Sequence, residues 1–248
     1  MGGEKQEKTD GEKRLTNAFF YDKILVERSR EMRKYQYILF DLDGTLTRSH
    51  YGIFNCFRYA LKKMGRTDEA TEEILKKCVG PSLEYSFENY FHMSKEDAVL
   101  ATAKYRERYK DIGLWENEPM EGALECLQTL KKAGYTLALS TSKPKIFADQ
   151  IVEKFGFFPY FTAQVGCGLD GSFPTKASVI AETMRQLSAP KEKCLMIGDR
   201  FHDADGAKEN GIDCALLRLG YAEEGEIEET NPAYVFADFA ELTAFLTK

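Results

Sequence analysis

Four apolar or aromatic residues, Tyr37-Ile38-Leu39-Phe40, run straight into Asp41-Leu42-Asp43-Gly44-Thr45. A run this short, apolar on both faces, predicts a buried strand rather than a helix. The period then changes. Ile53, Phe54, Phe57, Ala60, Leu61 and Met64 recur at helical spacing, and Gly65 ends the pattern. Three more helices are predicted over Glu69 to Cys78, Leu83 to Phe91 and Ser94 to Lys110, the last opened by a serine cap and early acidic residues. No strand signal interrupts this block. From Pro119 onward short apolar runs alternate with amphipathic ones. Strands are expected at Tyr135 to Ser140, Phe161 to Val165, Lys193 to Ile197, Cys214 to Leu217 and Tyr234 to Phe236. Helices are expected at Gly122 to Ala133, Pro144 to Phe155, Lys176 to Leu187, Ala204 to Asn210 and up to Leu246. Strands and helices alternating at this spacing predict an α/β fold, a parallel sheet covered on both faces. Its first strand is followed by an all-helical insertion.

Residues 1–34 mix both charge signs densely. Leu15, Phe19, Phe20, Ile24 and Leu25 offer only a weak helical face, so this segment reads as a flexible or loosely docked extension, and Met32 stands as an alternative start. The rest divides into a core, 35–50 with 119–248, and a helical unit, 51–118.

Composition narrows the function classes. With 43% hydrophobic and 30% charged residues among 248, the chain has the makings of a folded core and not of a disordered segment. A net charge of −6 lacks the basic footprint of a nucleic-acid binder. No apolar run is long enough to span a bilayer, and the polar start carries no signal-peptide pattern. The six cysteines are scattered without a C-x-x-C pair, which fits reduced thiols in the cytoplasm better than a zinc ribbon. The expected partner is a small metabolite, with no nucleic acid and no membrane, for a monomer or homodimer.

Three predicted strand ends carry polar groups. The first presents Asp41 and Asp43, the second Ser140-Thr141-Ser142-Lys143-Pro144, the third Gly198-Asp199-Arg200-Phe201-His202-Asp203; Lys176 opens a helix between the last two. Parallel strands bring their carboxyl ends together, so these groups are expected to share one crevice. Carboxylates two apart on a strand repel unless a cation or proton lies between them, so the first pair asks for a metal, an acid/base role, or both. Asp41, Asp43 and Asp199 are hard oxygen ligands suited to Mg²⁺. Lysine, helix N-terminal N–H groups and hydroxyls suit a phosphoryl group. One carboxylate is then free to attack phosphorus, and the other to move protons.

The set Asp41-Leu42-Asp43-Gly44-Thr45, Thr141-Ser142-Lys143-Pro144, Lys176 and Gly198-Asp199 with Asp203 resembles the haloacid dehalogenase superfamily, from about residue 36 to the C-terminus. Its order is similar to that of the superfamily's phosphatases with a helical cap inserted after the first strand of a Rossmann-like core. Val79-Gly80-Pro81-Ser82-Leu83, Leu169-Asp170-Gly171 and Met196-Ile197-Gly198-Asp199-Arg200 resemble the phosphoglycolate phosphatase and 5′-nucleotidase-like branch. The resemblance implies Mg²⁺-dependent hydrolysis of small phosphate monoesters through an aspartyl-phosphate. Asp41 would be nucleophile and Asp43 acid/base. Asp41, the Asp43 backbone carbonyl and Asp199 would hold the metal, with Asp203 a further ligand or an orienting group. Thr141 and Lys176 would bind the transferring phosphoryl group, with Ser140 open as a substitute for Thr141. Gly44, Thr45 and Ser142 are further candidate substrate contacts. Arg48 departs from the acidic residue common there, and is expected to steer an anionic substrate.

Rival readings are a sugar phosphomutase of the same superfamily and a non-catalytic phosphate binder. Related mutases carry a basic residue before the cap glycine and an arginine soon after it, where this chain has Val79 and Leu83, and a histidine where Ile53 stands. A dehalogenase would lack Asp43. The string Gly166-Cys167-Gly168-Leu169-Asp170-Gly171 matches a dinucleotide fingerprint, but Pro174 bars a helix from opening on it. His50 and His202 are expected near the crevice, and Trp115 at the junction of the two units.

Overall fold

The computed structural model describes residues 33–248. The predicted face of Leu15, Phe19, Phe20, Ile24 and Leu25, and Met32, lie outside them. Arg33 and Lys34, the last residues of the expected extension, are tied to the sheet unit. Arg33 donates to Ala133 O at 2.6 Å and Lys34 to the Tyr234 hydroxyl at 2.9 Å.

Six parallel strands make the sheet: β1 (Tyr37–Phe40), β4 (Thr136–Pro144), β5 (Phe161–Cys167), β6 (Cys194–Gly198), β7 (Asp213–Leu217) and β8 (Tyr234–Phe236). Their order is β5-β4-β1-β6-β7-β8. β1 lies between β4 and β6, with Phe40 level with Leu139 on one side and Ile197 on the other. The strand order therefore reverses at β1, which is where open α/β sheets form their ligand crevice.

Alternation along β1 explains its unbroken apolarity. Ile38 and Phe40 join one core layer with Leu137, Leu139, Leu195 and Ile197; Leu39 joins the other with Met196 and Leu216. The first layer is closed by Leu127 and Leu130 of a helix at Ala123–Lys132, Ile151 of one at Lys145–Lys154, and Leu242 of one at Phe239–Leu246. The second is closed by Ile180 of a helix at Lys176–Leu187, and by Ala204 and Ala207 of one at Phe201–Glu209.

Between β1 and β4 the chain builds α1 (His50–Lys63), α2 (Glu72–Lys77), α3 (Leu83–Asn89) and α4 (Lys95–Tyr109). Caps fall where polar residues precede them: Thr71, Ser82 and Ser94 each accept the N–H three residues on. Their shared interior is aromatic. Phe57 packs against Phe87, Phe91 and Tyr105 at ring distances of 5.0, 5.8 and 5.1 Å. The chain leaves and re-enters the sheet unit through a short antiparallel ladder, β2 (Thr47–Arg48) with β3 (Glu118–Pro119). Trp115 stands just before the return, 42% exposed, with the Lys154 ammonium 5.1 Å over its ring.

The remaining helices, in chain order, are α5 (Ala123–Lys132), α6 (Lys145–Lys154), α7 (Lys176–Leu187), α8 (Phe201–Glu209), α9 (Glu226–Thr230) and α10 (Phe239–Leu246). Three of the boundaries that differ from expectation have a visible cause. β4 continues past Ser140 to Pro144 through an irregularity opposite β5, so Pro144 caps α6 instead of opening it. α8 begins at Phe201, three residues early, because the Asp203 carboxylate satisfies the N–H groups of Asp199 and Arg200. Of the helix expected over Glu69 to Cys78, Glu69 instead ends a 3₁₀ turn, Thr67–Glu69, and α2 starts only after the Thr71 cap.

Candidate active site

Asp41 follows β1 directly. Its N–H donates to Ile197 O at 2.9 Å, which holds it at the β1–β6 seam. Oxygens of Asp41, Asp199 and Asp203 all lie within 4.8 Å of one another, and all three residues are buried. Lys176 enters this group from the start of α7. Its ammonium is 2.7 Å from Asp41 Oδ1 and 2.9 Å from Asp203 Oδ1, and donates to Ser140 O at 3.2 Å. The two carboxylate contacts are close but poorly aligned, so Asp41 Oδ1 and Asp203 Oδ1 remain buried without a hydrogen bond. One ammonium thus pairs with two of three clustered carboxylates.

The charges register that imbalance. Burial pushes the Asp41 carboxyl up to about 6, against the pull of Lys176 and with the Asp203 charge adding to the rise. Burial, then the charges of Asp203 and Asp41, drive Asp199 well above the ordinary range. Burial alone would lower Lys176, but Asp203 and Asp41 outweigh it and hold the ammonium above its usual value. A hard divalent cation fits this donor set. It would offset the surplus negative charge and take the converging carboxylate oxygens as ligands.

The structure packs glycine around the carboxylates. A Cβ at Gly44, whose φ is +85°, would lie 2.3 Å from Asp199 Oδ2; one at Gly220 would lie 2.1 Å from the same oxygen, and one at Gly198 2.2 Å from Asp203 Cγ. Asp199 is held by the Thr45 hydroxyl at 3.2 Å and by the Tyr221 N–H at 2.7 Å. The N–H groups of Gly44 and Thr45 bond within their own loop, to Thr47 O and Leu42 O. Gly44 and Thr45 therefore shape the loop and brace Asp199.

Asp43 is not in the carboxylate cluster. Its side chain turns to Lys143, whose ammonium lies 2.7 Å from Oδ2 and 2.9 Å from Oδ1. Burial would lower that ammonium, and the Asp43 charge reverses the effect and raises it. The Tyr109 ring lies 5.0 Å beneath the same ammonium. Thr141 Oγ1 accepts the Lys143 N–H at 3.2 Å, while Ser140 Oγ accepts from Thr183 of α7 at 3.1 Å.

A cleft opens between the helical insertion and the strand ends. One cavity is lined by Asp43, Ser142 and Lys143; a second, adjoining it, by Ser142, Lys176 and His202; both touch Gly80 to Leu83 and Arg106. Arg48 lines neither. It lies exposed in β2, 3.9 Å from Glu118. His50 is engaged by the Tyr221 hydroxyl at 3.0 Å. No helix opens on Gly166 to Gly171, where Asp170 folds back onto Ser172.

Sequence reasoning placed Asp41, Asp199, Asp203 and Lys176, which the structure brings together. It missed Lys143 as the partner of Asp43, the Gly220-Tyr221 turn against Asp199, and Arg106. Lys143 stood in a quoted motif, but a lysine at a helix start reads as solvated; the other two carry no local signal.

Residues 38–217 match the Haloacid dehalogenase-like hydrolase family. The chain belongs to that family. A 5′-nucleotidase of Pseudomonas aeruginosa is 38% identical over 86% of this chain and 96% of its own. The tyrosine-protein kinase PtkA of Mycobacterium tuberculosis is 35% identical over 81% of this chain and 68% of its own. A crystal structure of a predicted phosphatase from Clostridium acetobutylicum superposes with a TM-score of 0.82 at 37% identity, over 86% of this chain and 98% of that one. The chain is thus an enzyme of this hydrolase family with its α/β core. Among the described residues no helix is long and apolar enough to cross a membrane.

Proposed function

We propose that this enzyme hydrolyses small phosphate monoesters in two steps at Asp41, with Mg²⁺ held by Asp41, the Asp43 backbone carbonyl and Asp199, and with Asp203 as a further ligand or orienting group. The observation that carries the reading is the buried convergence of three carboxylates and Lys176 at the end of β1. Bound there, Mg²⁺ would neutralise carboxylate charge and let a phosphate dianion approach an anionic nucleophile.

An Asp41 oxygen attacks phosphorus, and the bond from phosphorus to the ester oxygen breaks. The Asp43 carboxyl gives its proton to the departing alkoxide. Asp43, now a carboxylate, takes a proton from water as that water attacks the phosphorus of the aspartyl-phosphate. Inorganic phosphate leaves and Asp41 is restored. Lys176 and the Thr141 hydroxyl hold the phosphoryl oxygens, and Lys143 orients Asp43. Residues 35–50 and 119–248 perform the chemistry, and 51–118 close over the substrate and exclude water. The enzyme works in the cytoplasm, in keeping with six cysteines that form no disulfide.

Asp41→Asn tests the assignment. Turnover of p-nitrophenyl phosphate with Mg²⁺ is expected to fall by at least about 10³-fold, as for loss of a covalent nucleophile. Retained turnover would remove Asp41 from the role.

A further inference from the structure

Three cationic side chains line the cleft, and two are matched within the chain. Lys143 is paired with Asp43, and Lys176 with Asp41 and Asp203. Arg106, in the last turns of α4, is the third. Its Nε is out of reach of solvent and has no hydrogen-bond partner. Among the described residues no carboxylate pairs with its guanidinium. Its neighbour on the helix shows the contrast: Arg108 makes two bonds to Glu116, at 2.7 and 2.9 Å. The other carboxylates along the cleft do not answer Arg106 either. Asp170 is turned onto Ser172, and Glu84 is exposed at the rim.

A buried guanidinium donor without an acceptor is costly, and such a group is completed by what binds against it. The planar fork of arginine matches a two-oxygen anion, carboxylate or phosphate. In the proposed reaction the phosphoryl group is already held by Lys176 and Thr141. Arg106 comes from the opposite wall, and lines both cavities that reach Ser142.

We infer that Arg106 is a specificity-determining residue that binds a second anionic group on the substrate. The preferred substrate class is then a small phosphate monoester or phosphoanhydride carrying another carboxylate or phosphate a few atoms from the scissile bond. This rests on the phosphatase reading above. A nucleoside monophosphate offers only a neutral base and sugar to Arg106, and is a poorer fit.

The test compares phosphoglycolate, which carries a carboxylate, pyrophosphate, which carries a second phosphate, and 2-hydroxyethyl phosphate, which carries neither. The wild-type enzyme with Mg²⁺ is expected to favour, in kcat/KM, at least one of the two probes that carry a second anionic group, and the preferred one names that anion. Arg106→Gln is expected to lower kcat/KM on that probe about 10- to 100-fold more than on 2-hydroxyethyl phosphate, mainly through KM, as for loss of a charged hydrogen bond. Arg106→Lys keeps the charge and recovers part of the preference. No preference in the wild type, or equal losses on all three probes, overturns the inference. If the wild type hydrolyses none of them, the phosphatase reading fails instead. Calorimetric titration with phosphoglycolate and with pyrophosphate then decides on Arg106 alone: weaker binding to Arg106→Gln of whichever probe binds supports it, and equal binding, or no binding of either, overturns it.

Discussion

Asp199 is fixed from three sides: by the Thr45 hydroxyl, by the Tyr221 N–H, and by glycines whose missing Cβ atoms leave room for its carboxylate. If that carboxylate is a metal ligand, its support controls metal affinity. Gly220→Ala would put a Cβ 2.1 Å from Asp199 Oδ2. The expected result is a rise of about 10- to 100-fold in the Mg²⁺ concentration for half-maximal activity. Metal titrations of activity check this, with a thermal melt to show that the fold is kept. At this scale the sequence exposed a residue when a strand end or helix start announced it. Asp41, Asp199, Asp203 and Lys176 all stand at such places. Gly220 and Tyr221 follow the edge-side strand β7, 17 residues beyond Asp203 in the case of Gly220, and reach Asp199 only because parallel strands share one end. Arg106 was hidden for another reason. On a helix rich in charge it looks like its solvated neighbours, and only the packing of α4 over the strand ends turns it inward.

At the scale of elements, the four-helix insertion is joined to the sheet unit by the β2–β3 ladder and clamped near the junction by Arg108 and Glu116. The Arg108 hydrogen bonds hold the Glu116 carboxyl below its ordinary value of 4.5. A depressed carboxyl contributes its stability above the unfolded value and loses it as pH falls through the folded one. The stability gap between wild type and Glu116→Gln is therefore expected to be full near neutrality and to close as the pH drops below 4.5. Urea titrations across that range measure it, and a gap that widens in acid would contradict the account. The main strands were legible as short unbroken apolar runs, and the helices by their period or their caps. The β2–β3 ladder was not, since two paired residues per strand leave no period to read. Neither was the run of β4 to Pro144, where polar residues at a strand end read as a turn. The early start of α8 depended on Asp203 capping the loop before it, a tertiary use of a residue that also suits a helix dipole.

Across the whole molecule, the strand order reverses at β1, and the helical insertion leaves the sheet just beyond that point. The nucleophile candidate and the start of the insertion are thus neighbours in sequence. A cleft with chemistry on one wall and Arg106 on the other follows directly from that topology. The family and core fold were readable from motif order. The substrate was not, because Arg106, the residue proposed to select it, sits on a helix whose inward face is set by packing. Asp41, and not Asp43, is the residue proposed to attack phosphorus. A crystal structure with Mg²⁺ and BeF₃⁻ tests this most directly, since beryllium bonds to the attacking carboxylate. Beryllium is expected on an Asp41 oxygen with Lys176 beside the fluorides; beryllium on Asp43 would reverse the two roles.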